Sequence, residues 1–201
     1  VREADWATDG KGLAVVRRVG TRERLEYPVD HVLYETDGYI SHPRFSRQGD
    51  RIAFLDHPVW GDDRGWPSVV DLTGHKTNLT AEYPLGISGL AWSPSGDEVW
   101  FSANRAGGAL ALRGVSLAGQ ERVVWRGPGS VWLMDVAPDG RALLCETVMR
   151  GEVFARLAGE SREQEPSWLG WTHANDISAD GRLILLSNLD EPSGPNYSAY
   201  L

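Results

Sequence analysis

Residues 43–55 read PRFSRQGDRIAFL. Phe45 closes a short stretch of alternating apolar side chains. A polar Gln48-Gly49-Asp50 reversal follows, and Ile52–Leu55 return as a second apolar stretch. Glycine supplies the positive φ that such tight hairpins need, so the phrase predicts two antiparallel strands joined at Gly49. The same phrase occurs five times: ADWATDGKGLAVV from Ala4, the stretch above, LAWSPSGDEVWFS from Leu90, MDVAPDGRALLCE from Met134 and NDISADGRLILLS from Asn175. The turn glycines are Gly10, Gly49, Gly96, Gly140 and Gly181, with spacings of 39, 47, 44 and 41. A period of roughly 40–45 residues is that of a four-stranded propeller blade. Trp6, Phe45, Trp92, Val136 and Ile177 all stand four residues before the turn glycine, where a large apolar side chain can fill the wedge between neighbouring sheets.

A second phrase keeps the same register. Leu72-Thr73-Gly74, Leu117-Ala118-Gly119 and Leu157-Ala158-Gly159 each follow a short apolar stretch and precede a polar-alternating one. They read as the turn between the third and outermost strands of blades two, three and four. Glu23–Tyr27 and His31–Glu35 read as the outer pair of blade one. A β-sandwich also spaces strands at 8–12 residues, but gives no reason for a whole four-strand unit to recur. No run with i, i+3, i+4 spacing is long enough to compete as a helix. The expected fold is all-β: a propeller segment of about five blades, at 1–38, 39–84, 85–129, 130–170 and 171–201. The last blade lacks its fourth strand, and the reading expects one or two further blades outside this sequence, as in a fragment of a larger ring.

Composition agrees and excludes. The 201 residues hold 9 Trp, 23 Gly and 11 Pro, the wedges and turns of a β protein. No apolar run approaches the roughly 18–20 residues of a membrane helix, and the first residues carry no signal-peptide core. The net charge of −8 opposes a nucleic-acid surface, which needs clustered positive charge. The single cysteine, Cys145, excludes an internal disulfide framework and any multi-cysteine metal site.

The phrases FSRQGDRIAF, WSPSGDEVWF and VAPDGRALL resemble the repeat signature of WD40-like propellers in TolB-type proteins. The resemblance covers essentially the whole chain, although the Gly-His and Trp-Asp marks of true WD40 blades are missing. The wording EADWATDGKGLAVVRRV, RLEYPVDHVLYET and DHPVWGDDRGWPSVVDL is also similar to the C-terminal propeller segment of bacterial receptor-like serine/threonine kinases. No H-R-D, D-F-G or glycine-rich nucleotide loop occurs here, so that resemblance implies only the sensor part. It also implies an extracytoplasmic, periplasmic location. The rival readings are a periplasmic TolB-like interaction protein and the gating propeller of a prolyl-oligopeptidase-like hydrolase.

Each candidate site has a plainer structural reading beside it. GISGL from Gly86 has the wrong spacing for a G-x-S-x-G nucleophile elbow. The five histidines show no zinc spacing. Asp62 and Asp63 read as an acidic turn paired with Arg64, with calcium as the alternative. Asp5, Asp135 and Asp176 share the repeat position before the wedge residue. They read as inter-blade hydrogen-bond acceptors, with channel acid/base chemistry as the alternative. No cofactor is expected, and no catalytic residue. A protein, peptide or small-molecule ligand is expected at the channel mouth, on the face where innermost strands begin. The loops assigned there, 38–42, 84–89, 129–133 and 170–175, carry Tyr39, His42, Trp132, Trp171, His173 and Asn175, an aromatic and polar mix suited to an interface. Asp135 and Asp176 complete the set. Trp60, Trp66 and Trp168 are further aromatic candidates.

Overall fold

The computed structural model describes residues 1–105, 108–148, 151–156, 159, 161–165, 172–188 and 198–200, the side chains of 188 and 198–200 excepted. Every described element is a strand. β1 (Glu3–Trp6), β2 (Leu13–Val19), β3 (Arg22–Glu26) and β4 (Val32–Thr36) form one antiparallel sheet in sequence order. β5 (Tyr39–Phe45), β6 (Arg51–His57), β7 (Trp66–Asp71) and β8 (Lys76–Asn78) form a second. β9 (Ile87–Trp92), β10 (Glu98–Ala103), β11 (Ala111–Ser116) and β12 (Glu121–Trp125) form a third. β13 (Ser130–Val136) pairs with β14 (Ala142–Thr147). The contacts divide the chain into two units. The first holds these sheets; the second comprises 106–109, 128–130 and 147–201. Within the second, β15 (Thr172–Ile177), β16 (Ile184–Asn188) and β17 (Ser198–Tyr200) form a three-stranded sheet.

All five turn glycines have positive φ and follow an innermost strand. Each closes the same turn: its N–H donates to the carbonyl three residues back, from Gly10 to Ala7 at 2.8 Å through Gly181 to Ser178 at 2.8 Å. The Gly74 and Gly119 turns likewise separate β7 from β8 and β11 from β12. Leu157 and Ala158 lie outside the described residues.

The core follows from strand alternation. Ile52 and Phe54 of β6 face the first sheet, packing with Val16, Leu25, Leu33 and Ile40. Ala53 and Leu55 of the same strand face the third, packing with Leu90, Trp92, Val99 and Phe101. A strand buried on both faces must be apolar at successive positions, and β6 is. Ala91 and Leu112 meet Val131 and Leu133 in a third layer. Sheets stacked face to face, the second and third each sandwiched between neighbours, are the blade arrangement expected from the repeat.

The wedge expectation holds in the middle and fails at two positions. Phe45 and Trp92 are buried. Phe45 meets the Tyr27 ring edge-on at 4.7 Å, and the Trp92 indole N–H donates to the Arg44 carbonyl of the preceding blade at 3.0 Å. Trp6 is 63% exposed and Ile177 59%. The wedge side chain packs on the blade before its own, and no sheet among the described residues covers that side of blade one. Around Ile177, the described residues of its unit put no second sheet on that face.

Candidate binding face

Blades one and two meet at polar ties as well as apolar ones. Glu23 is fully buried on β3. It receives the Ile40 N–H at 2.8 Å and the Arg2 guanidinium at 2.6 Å. Glu3 receives the His42 N–H, and Asp5 receives the Phe45 N–H at 2.7 Å. Asp5 is therefore an inter-blade acceptor. Asp135 and Asp176 differ: both are exposed and accept from the N–H of the next residue, Val136 and Ile177, at 2.8 Å.

Tyr39, His42, Trp132, His173 and Asn175 lie on strands, where loops had been expected. Antiparallel pairing reaches further than the pattern showed, with Tyr39 already opposite His57 and Thr172 opposite Asn188. Trp132 is half-buried on β13, between the buried Val131 and Leu133. His173, Asn175 and Asp176 are exposed on β15 of the second unit. Trp168 and Trp171 lie outside the described residues.

His42 sits at a break in the β5–β6 pairing. Its φ is +54°, and β5 shifts register against β6 between Ser41 and Arg44, a β-bulge. The His57 Nδ1 lies 2.9 Å from the Arg64 carbonyl. A carbonyl only accepts, so this nitrogen carries the proton and Nε2 is the acceptor for the Ser41 hydroxyl at 2.9 Å. Ser41 has then spent its proton, and His42 Nδ1–H donates to it at 3.0 Å. Ser41 is buried within this chain, which makes it a strut rather than an accessible nucleophile. Burial, with Arg44 adding to it, lowers the His42 pKa from 6.5 to about 4. Burial also lowers that of His57.

The unfolded chain protonates His42 below pH 6.5 while the folded chain resists until about pH 4, so stability falls as pH drops through that window. His42→Gln should remove its share. Denaturant midpoints at pH 7 and pH 4.5 should drop less for the variant than for the parent; an equal drop would disprove the assignment.

Around Tyr39 the face is aromatic and cationic. Its ring stacks on His57 at 4.0 Å and 4°, and its hydroxyl donates to Asp63 at 3.1 Å. Burial, then Asp63, push the phenol well above its ordinary pKa. Trp60, on the β6–β7 loop, meets Tyr39 edge-on at 5.8 Å. The Arg18 guanidinium lies 4.2 Å from its ring centroid and that of Arg2 4.8 Å. Trp60 is 46% exposed. Asp62 pairs with Arg64, as the acidic-turn reading expects. Among the described residues no group of three metal-binding side chains comes together, and no helix is long and apolar enough to cross a membrane. The contributions of Arg2 and Arg18 were not readable from sequence. Arginines near a strand end carry no signal until their neighbours are known.

TolB from Acinetobacter baumannii superposes with a TM-score of 0.50 at 16% identity, over 98% of this chain and 48% of that one. The fold is that of a β-propeller. A putative TolB from Agrobacterium tumefaciens gives 0.50 at 17% identity, over 93% of this chain and 69% of that one. A prolyl endopeptidase gives 0.47 at 15%, over 92% and 36%. The chain thus spans about half the length of the first of these structures. No protein-family model matches the chain, and no curated protein does.

Proposed function

We propose that this chain is a non-catalytic propeller module that binds a protein or peptide partner on the face where its innermost strands begin. The observation that carries this reading is the asymmetry between the two ends of blades one to three. The strand-start end presents Trp60, Tyr39, Arg2 and Arg18, the residue types that dominate interface energetics. At the other end the turn carboxylates are consumed by their own turns. Asp9 accepts from Lys11 N–H, Asp50 from the Ser46 hydroxyl and Asp97 from the Ser93 hydroxyl. The resemblance of the first two blades to receptor-like kinase propellers supports a sensor role in a larger bacterial signalling protein, on the extracytoplasmic side.

The test compares two sets of substitutions for binding to a partner recovered by pull-down. Trp60→Ala with Trp132→Ala should weaken binding at least about tenfold. Lys11→Glu with Gln48→Glu, beside the turns, should leave it unchanged. The opposite pattern in folded proteins would reverse the face.

A further inference from the structure

We infer that Arg18, laid on Trp60, is the anchor for a carboxylate side chain of a partner polypeptide; this rests on the interaction reading above and narrows it to one chemistry. Blade one carries five arginines. Arg2 holds Glu23, Arg17 holds Glu26 and Asp30, Arg22 holds Glu35 and Asp37, and Arg24 holds Glu35. Arg18, exposed near the end of β2, holds no carboxylate among the described residues. Its guanidinium lies over the indole face of Trp60, 4.2 Å from the ring centroid.

That contact decides what the guanidinium can do. Stacking occupies its π face and leaves the N–H donors around its edge free, a fork that matches a carboxylate bidentately. The stack also spends part of the side chain's entropy before any ligand arrives, which preorganises the fork. The Arg2 guanidinium, 4.8 Å from the same ring centroid, adds positive potential that Glu23 only partly cancels. Next to the fork lie the uncovered part of Trp60 and, one residue before it in the β6–β7 loop, the exposed Val59. An anion alone would leave these apolar groups wet. An aspartate or glutamate next to an aliphatic or aromatic residue would cover both. Charge complementarity thus favours a peptide segment with one acidic residue beside an apolar one. A long acidic tract is disfavoured, because the chain carries a net charge of −8.

The experiment pans a random linear dodecapeptide display library on the folded protein. Enriched peptides should share an Asp or Glu adjacent to an apolar residue. A synthetic copy should lose at least about tenfold in affinity when that acid becomes its amide, and similarly on Arg18→Gln and Trp60→Ala. Arg18→Lys should restore little, since a point charge lacks the fork. Arg18 is exposed, so its substitution leaves folding within about 0.5 kcal/mol, which circular dichroism and a denaturant midpoint verify. Peptides that bind Arg18→Gln as tightly as the parent but are lost on Trp132→Ala would overturn the carboxylate anchor and leave the interaction face standing. Failure to enrich any peptide would overturn both.

Discussion

Trp92→Ala is expected to cost about 3–5 kcal/mol, whereas Trp6→Ala, at the same place in the repeat, is expected to cost under about 0.5 kcal/mol. Trp92 is 6% exposed and fills the layer between blades two and three with Leu55, Leu90, Val99 and Phe101. Truncation removes a whole indole from a packed layer and leaves a cavity that β6 and β10, each paired on both sides, cannot collapse into. It also removes the N–H bond to the Arg44 carbonyl, one of the direct ties from blade three to the backbone of blade two. Trp6 has the same chemistry without the neighbour, at 63% exposure. Urea unfolding of the two variants beside the parent checks both values. Equal costs at the two positions would mean that the repeat register, and not only a side chain, has been misread.

The contrast between these two tryptophans marks what a single sequence can carry. The repeat, the hairpin glycines and the strand pairs are local patterns, and local physics writes them into composition. Gly10 and Gly181 need no partner beyond their own turn to be recognised, because nothing else closes it with a positive φ. The third-to-fourth strand turns at Gly74 and Gly119 were legible for the same reason. What packs on a wedge residue is not local: it depends on which blade precedes. The polar ties between blades were hidden for a related reason. Glu23 shares the face of Leu25 on β3, yet an acid at such a position carries no sign of burial by itself. It is fully buried, because Arg2 and the Ile40 N–H meet it from other strands. The candidate face was half legible. Tyr39 and Trp60 are aromatic wherever they sit. That Arg18 would settle on Trp60, some forty positions away, follows only once β2 and the β6–β7 loop reach the same end of adjacent sheets.

The bulge position shows how a repeat can hide its own constraint. Gly89 and His42 both stand seven residues before their turn glycines, and both have positive φ, +58° and +54°. β9 shifts register against β10 beside Gly89 as β5 does against β6 beside His42. A glycine in one blade and a histidine in the next share no sequence signal, yet the backbone does the same thing. At Gly89 a second demand is added. A Cβ built there would lie 2.1 Å from the Leu133 carbonyl oxygen of the next innermost strand. That strand is also tied down by the Leu133 N–H bond to the Ser102 hydroxyl at 2.8 Å. Gly89→Ala must therefore both hold a left-handed residue and push β13 away. Gly20→Ala isolates the first cost: its φ is +63° and nothing lies within 4 Å of its Cβ position. Gly20→Ala is expected to cost about 1–2 kcal/mol, and Gly89→Ala about 1–3 kcal/mol more for the overpacked contact. Denaturant unfolding of the two variants measures the difference. If Gly89→Ala proves no worse than Gly20→Ala, β13 does not press on β9 and the third packing layer is looser than its burial implies.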